Sequence, residues 1–229
     1  MSDYYVAKRR QLLRKHDRMF RRVRRILTDR EGAAFADQVV ADTRSELERM
    51  LPGLPYVGGR RNPWTSIIVV NGSFIALYRA MRRQGKGERD TVAVGCELAD
   101  GLFRPVPSWL LRSGGGLLVA ALPHVLGRAA ARSQERRYPE DWVFRIEGRS
   151  DEYDLALVME ECAVIKLYDA LDVPELKPYC SFFDVTYSRH MNLGLDASQT
   201  LGLGCSTCRL LYKRGRPTAI PPALDGLMP

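Results

Sequence analysis

"WVFRIEGRSDEYDLALVMEE", residues 142–161, is the stretch that decides the fold class. "WVFRIEG" (142–148) alternates and reads as a strand, and "YDLALVM" (153–159) reads as a second, with Gly148 to Asp151 between them. Two strands joined by a Gly/Ser/Asp turn predict an antiparallel hairpin. Beyond it, "ECAVIKLYDAL" (161–171) has helical spacing. "PELKPYCSFFDVTYSRHM" (174–191) opens with Pro174 in a first turn and reads as one helix. "LDASQTLGL" and "STCRLLYKR" then predict a closing hairpin around Gly202 to Cys205.

Upstream the texture is helical. The segment "YYVAKRRQLLRKHDRMFRRVRRIL" carries Tyr5, Leu12, Leu13, Met19, Phe20, Val23, Ile26 and Leu27 on one stripe, with His16 in the intervening turn. A second helix covers "REGAAFADQVVADTRSELERML" and stops at Pro52-Gly53. After the loop "LPYVGGRRNPW", Thr65 or Ser66 can cap a third helix running to about Gln84. Two more are expected near 88–103 and 116–136, separated by "SGGG" (113–116). Helices followed by β-β-α-α-β-β predict an α+β fold with a small antiparallel sheet covered by helices. We expect one domain over 1–229: a helical part (1–138), a sheet-containing, cysteine-bearing part (139–215) and a tail (216–229).

The net charge of +8 belongs to one segment. Residues 1–30 hold eleven Lys or Arg against three Asp, while 31–229 hold 24 of each sign. A well-formed apolar stripe on that segment predicts a core helix with solvated arginines, so no nucleic-acid partner is expected. The N-terminus is charged from residue 8 onward and has no apolar leader core. The longest apolar run, "LLVAALPHVL" (117–126), is broken by Pro123 and His124 and falls short of the roughly 20 residues a span needs. A cytoplasmic protein without membrane contact is expected. A homodimer is the assembly the sequence leaves open.

Five cysteines, an odd count without regular spacing, argue against a disulfide framework. Four of them fall within 162–208. Cys162 stands four residues before Lys166, whose ammonium would favour a thiolate. Cys180 stands four before Asp184, a plausible nucleophile and acid/base pair. Each thiol is equally at home as a buried structural residue. Cys205 and Cys208 form a C-x-x-C, but there is no second close pair and no His spacing to complete a zinc site. Walker, G-x-G-x-x-G and G-x-S-x-G motifs are absent.

Taken in order, "EECAVIK", "PELKPYCSFFD" and "TLGLGCSTCRLLYKRG" resemble the L-2-amino-thiazoline-4-carboxylic acid hydrolase family. The likeness also takes in the N-terminal helix and "LPYVGGRRNPWTSIIVVNGSFIALYRAMRRQG". The family's order of Cys, Cys-x3-Asp, Thr, Gly and Cys maps onto Cys162, Cys180, Asp184, Thr200, Gly204 and Cys208, leaving Cys205 incidental. Two positions depart from the pattern: Arg209-Leu210 follows the last cysteine where Asp-Phe is usual, and Glu160 stands where a Thr is usual. The resemblance implies a hydrolase that opens the C–N bond of a cyclic isothiourea to give an S-carbamoyl-cysteine-type product. In that chemistry Cys180 or Cys208 attacks, Asp184 moves the proton or holds the amidinium, and Thr200 orients one of them. Arg60, Arg61 and Asn62 of the "GGRRNP" loop, with Lys166, are expected to bind a small-molecule carboxylate substrate. No cofactor is expected. The alternatives are a module holding zinc through Cys162, Cys180 and Cys208, and a biosynthetic hydrolase or cyclase of the same fold with a different small substrate.

Overall fold

The computed structural model describes residues 3–229. Six helices come first: α1 (Asp3–Ala7), α2 (Arg9–Glu31), α3 (Ala33–Met50), α4 (Thr65–Arg83), α5 (Glu88–Phe103) and α6 (Ser108–Ser133). Then follow β1 (Val143–Glu147), β2 (Leu155–Glu161), α7 (Ala163–Ala170), α8 (Phe182–Met191), β3 (Leu195–Gln199) and β4 (Cys208–Tyr212). The four strands form one antiparallel sheet in the order β1-β2-β4-β3. The α+β arrangement read from the sequence is what the chain adopts.

The stripe on α2 is core. Leu13, His16, Phe20, Val23, Ile26 and Leu27 are all buried, and each large apolar side chain among them contributes roughly 1.5–3 kcal/mol. Arginines on its other faces pair outward, as in Arg24–Asp37 and Arg30–Glu97. His16 stacks on Phe20 and meets the Ser73 hydroxyl at 3.2 Å, while its Nε2 has no partner. Burial lowers its pKa to about 4.

Three local expectations change. The glycines at 113–116 do not separate two helices; α6 runs through them and through Pro123. The reason is packing. A Cβ on Gly115 would stand 2.5 Å from the Met191 carbonyl oxygen and 2.8 Å from Leu193, so only glycine lets α6 lie against the end of α8. Continuous from 108 to 133, α6 is long and apolar enough to cross a membrane, with mean hydropathy 1.3 and 22% of its most apolar stretch buried. Second, Thr65 and Ser66 do not cap α4. Trp64 occupies that position, and the Thr65 hydroxyl donates to the Gly59 carbonyl at 2.7 Å, tying the preceding loop to the helix. Third, residues 174–191 are not one helix. A 3-10 segment, Pro174–Tyr179, carries Pro178 inside it and gives way to α8 through Cys180 and Ser181.

Cys208, Leu210 and Tyr212 are buried along β4 while Arg209 and Leu211 are partly exposed. The pleat therefore sends Cys208 and Tyr212 to one face of the sheet.

Candidate functional site

Three thiols and one carboxylate converge where β2, α7, α8 and β4 meet. Cys162 follows the last residue of β2 and is the N-cap of α7, with an extended backbone (φ −122°, ψ 117°). In that position the start of α7, at Val164 and Ile165, and the nearby Trp142 indole favour a thiolate, although the Cys162 side chain makes no capping hydrogen bond. Burial outweighs them and raises the thiol above its usual value. The Lys166 ammonium feels Cys162 as the last of the charged groups acting on it, but its hydrogen bonds go elsewhere. It is spent on the carbonyl oxygens of Pro139 (2.6 Å) and Asp141 (3.0 Å) and on Glu161.

Cys180 sits in the break before α8. Burial, then Cys162, Cys208 and Asp184, push its thiol well up, with the Thr200 hydroxyl acting the other way. Thr200 itself caps the 3-10 turn Leu201–Leu203, accepting the Leu203 N–H at 3.2 Å. That turn lies hard against Cys180: a Cβ on Gly202 would stand 2.2 Å from the Lys177 carbonyl and 2.8 Å from Cys180 Sγ. Cys208 opens β4, accepts the Leu201 N–H at 3.2 Å, and is pushed up to about 12 by burial. Asp184, in the first turn of α8, faces all three thiols, and burial raises its pKa to about 6. Tyr187, one turn on, acts against that shift, and its hydroxyl meets that of Tyr212 at 2.6 Å. Tyr168 closes the far side beside Cys162 and Cys180, donating to Asn71 Oδ1 at 2.9 Å.

Cys162, Cys180, Asp184 and Tyr187 keep partial solvent contact, whereas Cys208, Thr200, Tyr168 and Tyr212 are buried. The cluster is thus largely desolvated, with an opening to solvent at Cys162, Cys180, Asp184 and Tyr187, called the crevice below. All five cysteines are free thiols. The zinc alternative lacks its geometry: among the described residues no three Cys, His, Asp or Glu side chains are placed to share an ion. Cys205 lies on the connection into β4 near Cys208, and Gly204 takes a left-handed turn there (φ 86°).

The "GGRRNP" loop lies elsewhere, on a cavity of about 340 Å³ between that loop, the end of α6 and the start of β1. Arg61 lines it, while Arg60 is exposed outside it. Asn62 also lines it but is consumed structurally. Its Nδ2 donates to Val57 O (2.6 Å) and Asp141 Oδ1 (2.8 Å), and its Oδ1 accepts the Trp64 N–H (2.9 Å). Trp142 joins the two places, lining the cavity and facing Cys162.

Residues 68–212 match the family model described as L-2-amino-thiazoline-4-carboxylic acid hydrolase. The chain belongs to this family. Every thiol, the carboxylate and the threonine of the crevice fall inside the matched stretch. It begins within α4, so α1 to α3 and the Arg60–Asn62 loop lie outside it. No curated protein and no solved structure matches the chain. Membership makes the protein one of a hydrolase family. The sequence pattern had pointed to Cys162, Cys180, Asp184, Thr200 and Cys208. It had not pointed to Trp142, Tyr168, Tyr187 or Tyr212. Tyr187 was within reach, three residues after Asp184 on one helix, and Tyr212 four after Cys208 on one strand. Trp142 and Tyr168 become neighbours of the thiols only through the tertiary fold.

Proposed function

We propose that the chain hydrolyses a C–N bond in a cyclic amidine or isothiourea bearing a carboxylate, of the amino-thiazoline type, with Cys162 as nucleophile. The observation that carries this is the position of Cys162: it is the N-cap of α7, where a helix N-terminus favours a thiolate, and Asp184 belongs to the same cluster. Neither Cys180, in the break before α8, nor Cys208, on β4 with the Leu201 N–H on its sulfur, is the N-cap of a helix.

At rest Cys162 is a neutral thiol, since burial opposes its ionisation. Asp184, with a pKa near 6, is mostly ionised at neutral pH and can take the thiol proton. The sulfur then bonds to the amidine carbon, and the ring C–N bond breaks as Asp184 returns the proton to the departing nitrogen. Water adds to the carbon of the resulting S-linked thioimidate, its proton passes to the Cys162 sulfur as that sulfur–carbon bond breaks, and the thiol is regenerated with an S-carbamoyl product. The N-terminus of α7 stabilises the thiolate as it forms and leaves. Thr200 positions Cys180, and Tyr187 with Tyr212 positions Asp184.

Turnover of the amino-thiazoline acid by the Cys162→Ser, Cys180→Ser and Cys208→Ser proteins tests the assignment. Cys162→Ser loses at least about 100-fold in kcat, the scale of a lost catalytic group, and the other two lose far less. A Cys162→Ser protein that keeps its rate removes the nucleophile from this residue.

A further inference from the structure

The cavity beyond Trp142 has a chemical character of its own. Its walls are aromatic: Trp64 lies 4.4 Å from Phe144, tilted at 37°, and 5.3 Å from Trp142 at 72°, and Tyr138 adds a fourth ring. Its charged lining is Arg61, Arg132, Arg136 and Arg137 against Glu135 and Asp141. Arg136 is engaged by Glu160 and Glu161. Asp141 is engaged by the Asn62 amide and the Trp142 N–H, and burial raises its pKa. Among the described residues Arg61, Arg132 and Arg137 form no ion pair; Arg137 stands over the Tyr138 ring at 5.7 Å. Guanidiniums without an ion-pair partner, one of them bonded only to the Arg61 carbonyl oxygen at 3.5 Å, beside edge-on and tilted rings suit a planar organic anion, taking its acid group in a forked hydrogen bond and its ring against an indole face.

Size narrows the class. About 340 Å³ is at the low end of the roughly 300–1,000 Å³ found for small-molecule sites. It is more than one five-membered ring with a carboxylate fills. We infer that this cavity holds the acid end of the substrate, and that the substrate class extends beyond the amino-thiazoline acid to larger planar, ring-bearing organic acids. The inference rests on the hydrolase reading in one respect. Trp142 is the shared wall, so a ligand stacked on it sits next to the group that faces Cys162.

Binding of 1-naphthoate tests this without turnover. Trp64 and Trp142 line the cavity, whereas Trp109 stands 69% exposed on α6. Titration of a Trp109→Phe protein therefore reads the cavity by indole fluorescence. The inference expects saturable quenching by 1-naphthoate and binding of neutral 1-naphthamide about tenfold weaker or worse, a difference of about 1.4 kcal/mol. Arg61→Gln and Arg132→Gln, checked for fold by circular dichroism, weaken naphthoate and leave naphthamide unchanged. Saturating naphthoate also slows alkylation of Cys162 by iodoacetamide severalfold, followed by peptide mass mapping. Absence of saturable binding, or equal affinity for acid and amide, overturns the anion site. Binding that leaves Cys162 alkylation unchanged overturns the claim that cavity and thiol serve one substrate. An active Cys162→Ser enzyme would instead count against the hydrolase reading while leaving the titration standing, so the two failures are distinguishable.

Discussion

Replacing Asp184 by Asn should make the protein more stable and less active, and the gain should depend on pH. Burial moves the Asp184 carboxyl from 3.8 to about 6. At about 1.4 kcal/mol per pKa unit, keeping it ionised costs the folded state up to roughly 3 kcal/mol. Solvent at the crevice mouth trims this, so about 1–3 kcal/mol is the working range. Below pH 3.8 the carboxyl is protonated in both folded and unfolded chains, and the penalty is absent. Between 3.8 and 6 the folded state holds the proton more tightly, so the penalty grows as pH rises. Above 6 it is complete. Asn never ionises, so the variant should match the wild type near pH 4 and exceed it by about 1–3 kcal/mol at pH 8. Urea unfolding at the two pH values measures the difference. His16 and Asp141 titrate identically in both proteins and cancel. Turnover at pH 8 should fall at least about 100-fold. A variant that is no more stable at pH 8, or whose gain is the same at pH 4, would show that Asp184 is not a desolvated, ionised group.

Other outcomes follow from the same geometry. His16 should make the wild type acid-sensitive: its pKa falls from 6.5 unfolded to about 4 folded, so stability present above 6.5 is lost as pH drops toward 4. The loss is up to about 3 kcal/mol, and a His16→Gln protein should show a flatter urea-unfolding profile over that window. Gly202→Ala should lower stability by about 1–3 kcal/mol, the scale of overpacking. It should also change the alkylation rate of Cys180 more than that of Cys205, because the new methyl meets the Lys177 carbonyl and the Cys180 sulfur. Lys166→Met should act on the fold: its ammonium ties α7 to the strand entering the sheet, so the thermal midpoint drops while KM for a carboxylate substrate stays near the wild-type value.

Periodicity carried the N-terminal helix and part of the sheet, because one-sided burial writes a 3.6-residue stripe on α2 and period two on β4, while β2 is apolar without a break from Leu155 to Met159. It missed the length of α6. Three glycines and a proline read as a break, and only the approach of the α8 carboxyl end shows why Gly115 must be small. Proline at 178 marked the interruption before α8, yet the spacing from Cys180 to Asp184 read as helix on either side of it. In the site, the thiols and carboxylate were legible through their order along the chain. The surroundings of each were not, since those of Cys162 come from its own helix start and from a tryptophan twenty residues earlier. The same limit explains Asn62 and Lys166. As sequence they are a loop amide and a free cation near a thiol; in the fold their polar atoms are already taken.

The most direct test is mass analysis after incubating the wild-type and Cys162→Ser proteins with L-2-amino-thiazoline-4-carboxylate. The account predicts a ring-opened product, heavier than the substrate by one water, from the wild type and at least about 100-fold less of it from Cys162→Ser. Product formed equally by both proteins, or by neither, would contradict it.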